Sequence, residues 1–177
     1  GMHLSNSRIL QSTTGNIEIS SASALGHGIY ISGGGLVAGN DTTTPTAGGS
    51  ITINSSSRAN DIMGAALRMD GTSTKIIAYG NISIFANGAA GGLSTANQQG
   101  HGVILWGASQ VIRSYDGSLS ITGYANRAAG GIENWANISG GITLYSGGVL
   151  LRAKGDVTLN GVSSLGIGLY LTYTAGT

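Results

Sequence analysis

The chain has 177 residues, enough for one domain of ordinary size, with a formal charge of +1 and only 8% charged residues. At 41% apolar it can bury a core, which excludes a disordered chain; a single proline and no Gly-X-Y period among its 32 glycines exclude collagen. The basic residues are scattered rather than gathered on a face, no apolar run approaches the roughly 18 residues that span a bilayer, and cysteine is absent, so nucleic-acid binding, membrane insertion and a disulfide framework find no support.

So many glycines must serve turns, and turns between short apolar segments read as an all-β chain. In chain order, Gly1-Met2 reads as a cloning remnant, no signal peptide follows, and Ile9-Leu10 reads as the end of an incomplete repeat. A first unit then opens with GNIEI from Gly15, continues with GHGIYI from Gly26 and closes with Leu36-Val37. The second runs GSITI from Gly49, GAALRM from Gly64 and Ile76-Ile77. The third runs GNISI from Gly80, GHGVIL from Gly100 and Val111-Ile112. The fourth runs GSLSI from Gly117, SGGITL from Ser139 and Leu150-Leu151; the fifth has GDVTL from Gly155 and GIGLYL from Gly166. The anchors stand 34, 31, 37 and 38 residues apart.

Each unit therefore holds three short β segments in fixed order, here a, b and c. In segment a the apolar positions (Ile17, Ile19, Ile51, Ile53, Ile82, Ile84 and their successors) alternate with Glu18, Thr52, Ser83, Ser120 and Thr158, a buried face against a solvated one. A propeller blade needs four strands per 40 to 45 residues. Three strands per unit predict a single-domain, three-strand-per-coil β-solenoid, a parallel β-helix of about five coils. Like strands would stack about 4.8 Å apart, with isoleucine over isoleucine and glycines at corners where φ is positive. Uncapped ends predict a fragment of a longer repeat protein, or end-to-end or edge self-association.

The units differ mainly between a and b. Units 3 and 4 carry long, similar inserts, with Phe85 to Gly92 matching Tyr124 to Gly131. Corner inserts project on one side of a solenoid. The fourth insert mixes aromatic and charged groups, which makes Tyr124, Asn126, Arg127, Glu133 and Trp135 the candidate ligand-binding residues. A second elaboration, Gly39 to Gly48, carries the lone Pro45.

GNISI, GHGVIL and VIRSYDGSLSITG, within a span from about Gly15 to Leu171, resemble the repeats of large exported bacterial proteins of the filamentous-haemagglutinin and two-partner-secretion type. The resemblance implies a right-handed β-helix at the cell surface that serves attachment or biofilm formation. It brings no catalytic residues, and the secretion-domain signature is not present.

Other chemistry has a plainer reading beside it. His27 and His101 sit at equivalent positions with Ala65 between, two coils or roughly 9 to 10 Å apart, too far to share one metal ion; they read as solvent-facing corner residues. Asp116 and Asp156 flank anchors with Lys154 close by, which a pectate-lyase-like enzyme would bring together in a groove; they read as solvated turn residues. Thr52, Thr143 and Thr158 form no adjacent ladder of the ice-binding kind. Tyr30, Arg68, Ile104, Thr143 and Tyr170 should share one outward column, either a sugar- or protein-contact surface or one covered by the inserts. No catalytic residue, metal or cofactor is assigned, and the expected partner is a host glycan or surface protein.

Overall fold

The computed structural model describes residues 1–24, 26–57, 64–88, 99–127, 140–145, 148–164 and 167–172; the side chains of residues 99, 126, 127 and 172 lie outside that description. Among the described residues there are sixteen strands and no helix. The chain enters through β1 (Met2–Ser5) and β2 (Ile9–Ser12). A first full turn follows: β3 (Ile17–Ser23), β4 (Ile29–Ser32) and β5 (Gly35–Ala38). The second is β6 (Ile51–Ser57), β7 (Ala65–Asp70) and β8 (Lys75–Ala78). The third is β9 (Ile82–Asn87), β10 (Gln99–Trp106) and β11 (Gln110–Ser114). The fourth is β12 (Leu119–Arg127), β13 (Gly140–Tyr145) and β14 (Val149–Arg152), and β15 (Val157–Ser163) and β16 (Ile167–Thr172) begin another.

Like segments pair with like. The a strands stack in parallel as β3-β6-β9-β12-β15, the b strands as β1-β4-β7-β10-β13-β16, and the c strands as β2-β5-β8-β11-β14. This is a three-sheet parallel β-solenoid. Its turn count corrects the expected five: among the described residues four turns carry all three strands, with a two-strand part-turn at either end. The part-turn before Gly15 holds one strand that the repeat pattern hides. MHLS has no glycine anchor, yet Met2 pairs with Ile29 and Leu4 with Ile31.

The register puts isoleucine over isoleucine. Ile17, Ile51, Ile82, Leu119 and Val157 form one column of the a sheet, and Ile19, Ile53, Ile84, Ile121 and Leu159 the next. Leu36, Ile76, Ile112 and Leu151 form the column that meets them from sheet c. The middle turns are fully buried, and each such side chain contributes on the order of 2 kcal/mol. Val157, with no turn above it among the described residues, is 45% exposed. A turn completes its core only through its neighbours.

A polar ladder runs along the corner between c and a. Asn16 Oδ1 accepts the Ser50 N–H (2.9 Å), Ser50 Oγ the Asn81 N–H (3.0 Å), and Asn81 Oδ1 the Ser118 N–H (2.8 Å). Ser118 Oγ accepts the Asp156 N–H (3.2 Å). The Gly39 to Gly48 elaboration is tied back onto sheet c. Lys75 Nζ donates to the Thr42 carbonyl (2.8 Å) and the Tyr115 hydroxyl to that of Thr43. Val37 and Ile77, side by side on the next position of sheet c, are buried as well.

Candidate functional site

Sheets a and b close on one another at the corner that bears the inserts. Small residues make the closure possible: Ser21, Ser55, Ala86, Gly123 and Gly161 occupy one register position in successive a strands. A Cβ on Gly123 would lie 2.0 Å from the Gly141 carbonyl oxygen, so no larger residue fits there without displacing a strand. In earlier turns serine hydroxyls bridge the gap: Ser21 Oγ donates to the Gly28 carbonyl (2.7 Å) and Ser55 Oγ to that of Ala66 (2.6 Å).

The roots of the two long inserts are fastened to each other here. Gly88, at the end of β9, donates its N–H to the Tyr124 carbonyl at 2.9 Å. The first residues of β10 pair with the last of β12, Gln99 with Arg127 and Gly100 with Asn126, in antiparallel sense. That pairing departs from the all-parallel ladders expected of the repeat, and it arises because β12 runs past the corner. Where the second insert rejoins the sheet, the Gly140 N–H donates to His101 Nδ1 at 3.2 Å.

Three of the five candidate ligand residues fall at this junction. Tyr124 is half-buried, its ring 5.4 Å from that of Phe85, which is exposed on the neighbouring strand. The two rings lie in a shallow groove with Asn87, Ala125, Val162 and Ser163. Asn126 and Arg127 supply the backbone of the antiparallel bridge. Glu133 and Trp135 lie outside the described residues. In the sequence Phe85 stands only as part of the shared insert string; its partnership with Tyr124 follows from the register that sets Thr122 beside it.

The histidines differ from the expectation of solvent-facing corners. His101 is buried at 2% exposure, and His27 is half-buried. Each accepts a backbone N–H from the following turn: Ala65 to His27 Nδ1 at 3.2 Å, and Gly140 to His101 Nδ1. Burial, helped by the charge of Arg68, lowers the His101 pKa to about 4, so the imidazole is neutral with its proton on Nε2. Among the described residues no cluster of three or more potential metal ligands exists.

The outward column of sheet b is in register from His3 through Tyr30, Arg68, Ile104 and Thr143 to Tyr170. Rings of this column and of the one beside it contact each other from turn to turn. His3 lies 4.8 Å from Tyr30, and Trp106, in the adjacent column, lies 5.1 Å from Tyr145, itself 5.7 Å from Tyr170. The Arg68 guanidinium sits between Tyr30 and Trp106, 5.6 Å from each, and donates to Asp70 Oδ2 through Nε (3.1 Å) and an Nη (2.9 Å). The Tyr30 hydroxyl donates to Asp70 Oδ1 at 3.0 Å. These ring and guanidinium contacts link turn to turn, and Ile104 and Thr143 are buried.

Lys154 and Asp116 form an ion pair on an exposed corner, with Asp156 exposed nearby. Bonding to Lys154 holds the Asp116 carboxyl below its ordinary range, and the same bond raises the Lys154 pKa. The three groups stand on turns rather than in a groove. No family model, curated protein or solved structure matches the chain. Any functional reading accordingly rests on these residues and their placement. No helix among the described residues is long and apolar enough to cross a membrane.

Proposed function

We propose that this chain is a structural and adhesive segment of an exported bacterial surface protein: a rigid shaft that presents one corner to a host glycan or surface protein. The observation that carries the reading is the fastening of the insert roots. Gly88 to Tyr124, Gly100 to Asn126 and Gly140 to His101 hold the roots of both inserts at one corner of a stacked scaffold. Preorganisation lowers the ordering cost of binding. Low net charge and the filamentous-haemagglutinin-like repeats fit the same reading.

The test is a glycan-array and host-surface binding screen of the chain and of Tyr124→Ala and Trp135→Ala variants. Binding that weakens in both variants, with the far-ultraviolet β signal intact, supports the corner as the site. Binding that is unchanged refutes the site. A parent chain that binds no glycan or surface refutes the adhesive role and leaves a shaft alone.

A further inference from the structure

We propose that the outer face of sheet a beside the insert corner takes an uncharged glycan, with Phe85 and Tyr124 as platforms for consecutive sugar rings. The inference rests on the adhesive reading above and names the ligand class of that site.

Register builds the surface. Asn54, Phe85 and Thr122 follow one another in one outward column of sheet a, and Ser56, Asn87 and Tyr124 in the next. An amide therefore stands one strand before each aromatic ring, Asn54 before Phe85 and Asn87 before Tyr124. The second pair repeats the first, one turn on and one column over. Two open hollows follow the same step. One, of about 360 Å³, is lined by Asn54 and Phe85, and the other, of about 400 Å³, by Phe85 and Tyr124. Each is within the size range of small-ligand sites. Both are lined by Phe85 and Asn87, so they form one trough. Phe85 keeps 43% of its surface open, enough to receive a second ring. The two ring centres are 5.4 Å apart, close to the step between neighbouring pyranose rings in an extended chain.

The lining selects the ligand class. Among the described side chains, none that lines either hollow is charged. In the whole of sheet a only Glu18, on the first strand, is a charged member of that set. A sugar packs its C–H face on an aromatic ring, and its hydroxyls trade donors and acceptors with neutral groups such as Asn54, Ser20 and Ser56. A carboxylate or sulfate in the trough would shed water and find no countercharge. Uncharged glycans are therefore favoured over acidic ones.

The experiment is retention of the full chain on immobilised oligosaccharides, uncharged (gluco-, manno-, galacto- and N-acetylchito-oligomers) and acidic (hyaluronan and heparin fragments). The expected result is retention by uncharged oligomers and not by acidic ones. Phe85→Ala should weaken it by about fivefold, Asn54→Ala by about threefold, and Phe85→Trp should keep it, all with the far-ultraviolet β signal intact. Retention by acidic oligomers alone, uncharged binding indifferent to Phe85 and Asn54, or binding to a surface protein without glycan overturns this inference and leaves the adhesive reading standing. A chain that binds no glycan and no host surface overturns both. Should Phe85→Ala fail to fold, the Asn54 side-chain amide resonances of the parent decide. A saturable shift on titration with a retained uncharged oligomer sustains the inference, and resonances that stay in place overturn it.

Discussion

Asn81 Oδ1 accepts the backbone N–H of Ser118, the residue one turn further along the corner, at 2.8 Å. Asn81 in turn donates its own N–H to Ser50 Oγ. Each inner member of the ladder, Ser50, Asn81 and Ser118, is therefore an acceptor for the turn after it and a donor to the turn before it. The glycine preceding each member is part of the same device. A Cβ on Gly117 would meet Asn81 Oδ1 at 2.4 Å and the Gly80 backbone at 2.7 Å.

Asn81→Ala should destabilise the chain by about 0.5–1.5 kcal/mol, the net worth of one such hydrogen bond. Asn81→Ser should recover most of that, because serine fills the role at 50 and 118. Gly117→Ala should cost more, about 1–3 kcal/mol, since it forces apart two packed turns. Urea unfolding of the three variants checks the order.

Arg68 ties three turns of sheet b through Tyr30, Asp70 and Trp106. Arg68→Ala should lower stability by about 1–3 kcal/mol, the range for a hydrogen-bonded charged group. Arg68→Lys should recover less than half of the loss, because an ammonium reproduces neither the two-pronged bond nor the flat stacking face. Thermal unfolding at fixed pH resolves the difference.

Asp41 organises the loop between Gly39 and Gly48. Its Oδ1 accepts the N–H of Thr43 (2.7 Å), that of Thr44 (2.8 Å) and the Thr43 hydroxyl (2.7 Å). The bond from the Thr44 amide leads these in lowering its pKa to about 2. A depressed carboxylate pKa means order that is complete above about 4 and lost as the pH falls through about 2. Amide exchange at Thr43 and Thr44 should accelerate in that range, and Asp41→Ala should show the faster exchange already at pH 7.

The stacked rows were legible in the sequence because one face of every strand must meet the core, and a period of two marks that face without ambiguity. The ladder was not, since Asn16, Ser50, Asn81, Ser118 and Asp156 stand at positions that the apolar pattern leaves unspecified; their common property, a short polar acceptor, was the available signal. Nor did the pattern divide the glycines by cause. Gly33, Gly71 and Gly107 at the corner between b and c have positive φ (64°, 81° and 125°), whereas the anchors Gly49, Gly80, Gly117 and Gly155 do not and stand where a neighbouring turn approaches closely. The burial of His101 was illegible for a different reason. It is a tertiary outcome, which no local spacing records.

Parallel stacking of like strands is tested most directly by distance. Glu18, Ser83, Ser120 and Thr158 occupy one outward column in the first, third, fourth and fifth a strands. The chain contains no cysteine, so labels can be placed at will. Spin-label pairs from 18 to 83, 120 and 158 should give separations near 10, 14 and 19 Å, about 4.8 Å for each strand crossed. Equal steps of that size are the expected result. Separations that fail to grow with the number of turns between the labels would contradict the solenoid and everything built on it.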